Sequence, residues 1–189
     1  IPANSFLGRL IKDKRFIQSF DAASIHPYSR SVDGALGVIK DFRKVLDKAR
    51  TKVYKYKTKK VRVIKYKQKG RKKVRKISYK KVRKKYSART APKDLYITEM
   101  SWGSDSSTGF GAGSEAGQAD ALTKAYTALI QNANAWRLKH VYWYAWRDLP
   151  PTVKTCSFCY TSGLVNVNGT GKAGFWALAV LTRKYTLGL

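Results

Sequence analysis

The chain has 189 residues, 43% of them hydrophobic and 13% aromatic, so it is long and apolar enough to fold around a core and is not disordered as a whole. It contains no apolar run of the roughly 18 residues that a membrane-spanning helix requires. The formal net charge of +28 is uneven: 21 of the 39 lysine and arginine residues lie between Arg50 and Arg89, where there is no acidic residue, and the rest of the chain has a net charge of about +7. These numbers predict an ordinary domain that carries a basic insertion.

The first fifty residues are predicted to form a helix, a short strand and a second helix. Apolar residues at helical spacing indicate an amphipathic helix over Asn4–Ile17, and the run Phe20–Tyr28 is typical of a short buried strand. Ser31 or Asp33 is expected to cap the next helix, which continues to about Ala49. The strand brings His26 and Tyr28 to its carboxyl end as a polar pair, and the sequence leaves open whether His26 is structural or functional.

The basic insertion is predicted to be a hairpin arm. Between residues 51 and 86, β-branched and aromatic residues alternate imperfectly with lysine and arginine, and Gly70 lies near the middle, so we expect two long strands joined at a tight turn. A disordered basic linker is the alternative. The cations of this arm that are expected to bind a polyanion are Lys55, Lys57, Arg62, Lys65, Lys72, Arg75, Lys80 and Arg83.

The last hundred residues again alternate strands and helices. A strand over Asp94–Met100 is followed by a loop rich in glycine and serine, a long helix from Ser114 to about Leu138, an aromatic strand over His140–Asp148 and a final helix over Ala173–Thr182. This order of elements is typical of βα units that share a parallel sheet.

Glu99 is the first catalytic candidate because it places one carboxylate at the end of a predicted strand, where loop chemistry begins in βα folds. Strand alternation predicts that it shares a face with Leu95 and Ile97. The alternative is that Glu99 forms a structural ion pair with one of the many cations.

Three segments together resemble the C-terminal part of a clan-A glycoside hydrolase, a (β/α)8 barrel of the cellulase, β-xylosidase and α-iduronidase kind. They are His26-Pro27-Tyr28, the strand Leu95–Glu99 with Trp102-Gly103, and Val141–Asp148. The resemblance implies an α/β fold, namely an incomplete TIM (β/α)8 barrel that contains the last three βα units. Residues 1–49 would hold a helix and unit six, residues 50–90 the inserted hairpin arm, and residues 91–189 units seven and eight.

The same resemblance implies a retaining mechanism in which Glu99 is the nucleophile. His26 and Tyr28 would orient the carboxylate or bind sugar hydroxyls, and Trp146, or Trp143 in another strand register, would form an apolar platform under the sugar. No cofactor or metal is implied. The family's second carboxylate has no counterpart here, so this chain alone is expected to be inactive and to be completed by an N-terminal barrel chain of the same precursor or by self-association.

Cys156 and Cys159 are the only cysteines and form one C-x-x-C pair, which is at best half of a zinc site. A local disulfide fits this loop best and indicates a secreted protein. In that compartment the arm would bind an anionic cell-wall or capsular polymer, although nucleic acid is also open. The second class of function is a non-catalytic assembly or nucleic-acid-binding protein built on a barrel remnant.

Overall fold

The computed structural model describes residues 2–106, 110–153 and 157–187. The chain divides into two compact units, residues 1–49 with 92–189, and residues 50–91. The first contains a three-stranded parallel sheet and the second a two-stranded antiparallel sheet. The predicted mixed α/β class with a parallel sheet and a hairpin is therefore confirmed, whereas the described residues do not form a complete barrel.

The N-terminal part of the larger unit contains four elements, which are α1 (Ala3–Leu10), α2 (Lys14–Gln18), β1 (Ala22–Ile25) and α3 (Val32–Leu46). The predicted single helix over Asn4–Ile17 is wrong because Asp13 accepts a hydrogen bond from the backbone N–H of Arg15 and starts a second helix. Ser31 caps α3 by accepting from the backbone N–H of Gly34.

The C-terminal part contains β4 (Asp94–Met100), α4 (Glu115–Trp136), β5 (Leu138–Trp143), a 3₁₀ turn (Ser157–Tyr160) and α5 (Ala173–Leu187). Ser114, where the predicted helix begins, caps α4 by accepting from the backbone N–H of Gly117. The helix ends at Trp136, before the predicted end at Leu138, because Arg137 adopts the left-handed conformation, with φ 51° and ψ 38°. The final strand was predicted over His140–Asp148, but β5 begins two residues earlier, at Leu138, and ends five residues earlier, at Trp143.

The parallel sheet has the order β1-β4-β5, so β4 is its central strand. Leu95, Ile97 and Met100 of β4 are fully buried in a core shared with the helices α1 to α4. Burying each of these large side chains contributes roughly 1.5 to 3 kcal/mol to stability. Tyr96 and Thr98 alternate with these buried residues; Tyr96 is half-buried and Thr98 is exposed. The helices therefore cover one face of the sheet, and the other face remains accessible.

A bulge near the end of β4 decides which way the candidate acid points. Ile97 pairs with Val141 and Met100 pairs with Trp143, so β4 uses one more residue than β5 over this interval. Ile97 and Met100 are both buried, and Thr98 and Glu99 both lie on the accessible side. The prediction that Glu99 continues the face of Leu95 and Ile97 is therefore wrong.

The smaller unit is the hairpin arm, formed by β2 (Lys52–Lys69) and β3 (Lys72–Arg89). The two strands are paired in continuous antiparallel register from Lys52 opposite Arg89 to Lys69 opposite Lys72. Gly70 occupies the turn with φ +61°, a conformation that side chains disfavour. The alternating pattern thus produces a regular ribbon rather than a disordered linker.

Candidate functional site

The accessible face carries a cluster around Glu99 at the carboxyl ends of β1 and β4. The Tyr28 hydroxyl donates a hydrogen bond to Oε2 of Glu99 at 3.0 Å. Nδ1 of His26 lies 3.3 Å from the same oxygen, and Nε2 of His26 lies 2.9 Å from Oγ1 of Thr98. Which ring nitrogen of His26 carries the proton decides whether the imidazole donates to the Thr98 hydroxyl or accepts from it. The segment that follows β1 therefore places a phenol donor and an imidazole against one oxygen of the carboxylate that β4 carries.

The electrostatics of the cluster keep Tyr28 as a donor. Burial, followed by the hydrogen bond to Glu99 and the negative charge of that carboxylate, raises the pKa of Tyr28 well above its ordinary value. The phenol consequently stays protonated at neutral pH and orients Glu99 rather than exchanging protons with a ligand. The side chains of Glu99 and His26 remain 36% and 47% exposed, so a ligand can reach both.

Aromatic residues border this cluster. The ring of Phe110, in the loop after β4, lies 6.0 Å from the ring of Tyr28. The backbone N–H of Tyr144 donates to the carbonyl of Met100, which ties the end of β5 to the end of β4. Sequence reasoning missed Thr98 as a partner of His26, because strand alternation assigned it to the face opposite Glu99. It also passed over Phe110, whose position within a glycine-rich loop gave no indication of its packing.

The two tryptophans proposed as sugar platforms lie in different environments. Trp143 is half-buried, packs against Trp102 and Tyr126, and donates its indole N–H to the carbonyl of Ser162. Trp146 is 63% exposed, and its ring meets Phe175 of α5 edge-on at 5.7 Å. Trp146 is thus the one with an available face, and it lines a shallow apolar cavity beside α5.

Two buried polar residues hold the loops that surround the carboxyl edge of the sheet. Nε2 of Gln118 lies within hydrogen-bond distance of the carbonyls of Trp102, Thr161 and Gly163. Lys172 is 1% exposed and its ammonium contacts Oδ2 of Asp148 at 2.5 Å, in addition to Ser104 and the carbonyl of Thr161. Neither Gln118 nor Lys172 could be recognised from the sequence, because a polar residue in a helix or loop gives no sign of being buried.

The accessible face continues below the cluster as a row of rings. Tyr96 of β4 stacks on His140 of β5 with centroids 5.4 Å apart, and His140 stacks on Tyr142 at 6.0 Å. Tyr142 is 53% exposed. Parallel sheets are normally covered on both faces, so this row is an unusual surface to leave open to water.

The two faces of the arm differ in composition. Residues opposite each other in the register share a face, and side chains alternate between faces along each strand, so every residue can be assigned to one face. One, the Arg–Tyr face, contains the even-numbered residues of β2 with the odd-numbered residues of β3, and it holds all four arginines of the two strands and four of the five tyrosines. The other, the Lys–Val face, has ten lysines, five valines and no arginine.

The predicted polyanion-binding cations therefore separate into two groups. Arg62, Arg75 and Arg83 lie on the Arg–Tyr face. The other five lie on the Lys–Val face and are Lys55, Lys57, Lys65, Lys72 and Lys80. At the base of the Arg–Tyr face, cations already cover rings, with Lys85 3.9 Å from the ring centre of Tyr54 and Arg83 4.7 Å from that of Tyr56.

The cysteine pair falls partly outside the described residues. Cys159 is buried, and its Sγ lies 3.6 Å from the hydroxyl of Tyr144. Cys156 is not among the described residues, so the local disulfide stays a prediction.

Within residues 2–106, 110–153 and 157–187, no group of three or more histidine, cysteine or acidic side chains is arranged to hold a metal ion. Over the same part of the chain, none of the helices combines the length and the apolar character needed to cross a membrane.

Comparison with known proteins adds no relative: no protein-family model, no curated protein and no solved structure matches this chain. The features of this chain that bear on its function are therefore the geometry of the Glu99 cluster and the chemistry of the arm.

Proposed function

We propose that Glu99 is the nucleophile of a retaining glycoside hydrolase and that this chain supplies the nucleophile half of its active site. The observation that carries the proposal is the contact of two side chains with one carboxylate oxygen at the carboxyl ends of adjacent parallel strands: the Tyr28 hydroxyl donates at 3.0 Å, and Nδ1 of His26 lies 3.3 Å away. A nucleophilic carboxylate must be correctly aimed at the anomeric carbon, and these contacts fix the direction of the Glu99 carboxylate. The position at the carboxyl edge of βα units is where barrel enzymes hold their catalytic groups.

The proposal requires a second carboxyl group to protonate the leaving group, about 5 to 5.5 Å from the first. Among the residues that the structure describes, the side chains in contact with the Glu99 carboxylate are a phenol, which stays protonated, and an imidazole. We assign the acid and base role to an N-terminal barrel chain or segment of the same precursor. Self-association of this chain is the alternative way to complete the fold.

Two surfaces support completion by further barrel strands. The ring row of Tyr96, His140 and Tyr142 is open on the face that a closed barrel would enclose. On α5, Trp176 and Val180 are 63% and 66% exposed, which is high for large apolar side chains on one helix. Closure of the barrel by further strands would enclose the ring row, and the helix of a neighbouring βα unit would cover the apolar side of α5.

The experiment is covalent trapping on the chain purified from its source with everything that accompanies it. The probes are the 2,4-dinitrophenyl 2-deoxy-2-fluoro-β-glycosides of glucose and xylose, whose leaving group departs without protonation, so the trapping step does not need the second carboxyl group. We expect an intact-mass increase on this chain and its loss in Glu99→Gln. The matched control is Glu115→Gln, which changes the only other glutamate. Labelling that persists in Glu99→Gln would exclude Glu99 as the nucleophile.

For the arm, we propose binding to a linear anionic polymer. The support is its density of exposed cations, with every residue of β3 exposed except Ala88. If the cysteine pair forms a disulfide in a secreted protein, an anionic cell-wall polymer would be the accessible ligand, and the arm would hold the hydrolase on its substrate. Nucleic acid is the second candidate, and it is favoured by the tyrosines interleaved with arginine.

A further inference from the structure

The arm contains an internal repeat. Lys59–Lys67 reads KKVRVIKYK and Lys72–Lys80 reads KKVRKISYK, so seven of the nine positions are identical. The differences are valine to lysine and lysine to serine, at the positions on either side of the repeated isoleucine. One copy lies in β2 and the other in β3, so the pairing register determines how the two copies face each other.

The register makes the two copies symmetric. Ile64 of the first copy lies directly opposite Ile77 of the second, Arg62 lies opposite Tyr79, and Tyr66 lies opposite Arg75. Antiparallel strands have a local two-fold axis between opposed residues, so the axis at the isoleucine pair exchanges the two copies. The outer part of the Arg–Tyr face is therefore a two-fold surface of six residues, Arg62, Ile64, Tyr66, Arg75, Ile77 and Tyr79, which we call the dyad patch.

The dyad patch is exposed in every part that a ligand would contact. Tyr66 and Tyr79 are 66% and 69% exposed, the highest values among the arm's tyrosines, and the isoleucines are 42% and 45% exposed. By contrast, Tyr54 and Tyr56 at the base of the same face have cations over their rings. The outer rings are thus the ones positioned for a planar or apolar partner.

Symmetry selects the class of partner. At about 3.4 Å per residue the 18-residue strands extend for roughly 60 Å, and the nine cations of the Arg–Tyr face give it about one positive charge per 7 Å for a linear polyanion. A duplex has two-fold axes perpendicular to its helix axis because its strands are antiparallel. A single polysaccharide chain has a direction and no such axis.

The dimensions also agree. Arg62 and Arg75 come from opposite strands and are separated by four residue steps along the ribbon, or about 14 Å. The major groove of B-form DNA is about 12 Å wide and admits a two-stranded β-ribbon. The two guanidinium groups can therefore reach phosphates on opposite walls of one groove, with the isoleucine pair between them.

We propose that the dyad patch docks in a groove of double-stranded nucleic acid, with the local two-fold axis of the ribbon aligned on a dyad of the duplex. Arg62 and Arg75 bind the phosphates of the two strands, and Tyr66 and Tyr79 contact sugar and base edges. This inference rests on the proposed binding of the arm to a linear anionic polymer and specifies the face and the class of polymer.

The experiment compares two variants of the full chain that remove equal charge from equivalent positions of the repeat. Arg62→Gln/Arg75→Gln alters the dyad patch, whereas Lys67→Gln/Lys80→Gln alters the Lys–Val face at positions that the same two-fold axis exchanges. The probes are a fluorescent DNA duplex of about 20 base pairs, which at 3.4 Å per step exceeds the ribbon in length, one of its single strands, and polygalacturonate as a polysaccharide competitor. Far-UV circular dichroism checks that the hairpin is retained in both variants.

We expect the arginine variant to lose about tenfold or more in duplex affinity and to reduce the slope of log affinity against log salt by about 1.8, which is 0.9 for each lost phosphate contact. The lysine variant should remain within about threefold of the parent with little change in slope. The parent should also prefer the duplex to the single strand and to polygalacturonate.

Three results would overturn the inference. Equal losses in the two variants would mean that charge alone, without a face, determines binding. Tighter binding to polygalacturonate than to the duplex would identify an anionic polysaccharide as the partner and leave the proposed retention on cell-wall polymer intact. Binding to none of the probes at low salt would reject both the duplex inference and the broader proposal for the arm.

Discussion

Replacing Lys172 by methionine tests whether the buried ion pair holds the loops around the proposed active site. Lys172 is 1% exposed, and its ammonium contacts Asp148, Ser104 and the carbonyl of Thr161. Methionine retains most of the apolar stem but leaves the carboxylate of Asp148 buried without its cation. Removing one partner of such a pair costs about 3 to 5 kcal/mol of unfolding free energy.

The lower end of that range applies here because Oδ1 of Asp148 also accepts the backbone N–H of Gly163. A loss of about 3 kcal/mol corresponds to a decrease in melting temperature of roughly 6 to 12 °C for a chain of this size. Tryptophan fluorescence is the suitable assay, because all five tryptophans lie outside the arm and report on the larger unit alone.

Two further variants show whether the ion pair is the cause. Lys40→Met, at an exposed position on α3, should change the unfolding free energy by less than about 0.5 kcal/mol. Adding Asp148→Asn to Lys172→Met removes the unpaired charge and should recover about 1 to 2 kcal/mol, since the amide oxygen can still accept from Gly163. If the melting temperature of Lys172→Met lies within about 1 °C of that of Lys40→Met, the buried ion pair does not stabilise the loops, since only an unimportant contact would leave the two variants equal.

Three other variants test the site and the arm. Tyr28→Phe should slow glycosyl trapping about tenfold through loss of a hydrogen bond to a charged group, and a rate equal to that of Tyr185→Phe would contradict this role. Because the Tyr28 pKa is raised above its ordinary value, that ratio should stay constant up to about pH 9, and a ratio that changes below that pH would indicate that the phenol titrates. Glu99→Gln should leave binding of an unreactive thioglycoside within about threefold, measured by calorimetry, because the amide retains an acceptor; a complete loss of binding would mean that the carboxylate holds the sugar. Replacing residues 52–89 by a short glycine-containing turn should leave the fluorescence melting temperature of the larger unit within about 2 °C, and a larger decrease would show that the arm is structural.

Local patterns in the sequence were sufficient for the element types. Helical spacing and the caps Ser31 and Ser114 identified α3 and α4, and period-two alternation with Gly70 identified the hairpin. These features depend on residues close together in the chain, so they can be read without knowing the tertiary contacts. The same holds for Glu99, Tyr28 and His26 as a polar group at strand ends.

The order of strands and helices, the basic ribbon and the choice of Glu99 as candidate acid could therefore be predicted from local sequence patterns. That Glu99 faces His26 could not be predicted in this way, because the bulge arises from pairing between β4 and β5 and reverses the side expected from alternation. The pairing register likewise decided that the arginines of the arm share one face and that its repeat is symmetric about Ile64 and Ile77. Side-chain direction in a strand depends on the partner strand, and a register is a relation between distant residues that no local pattern contains.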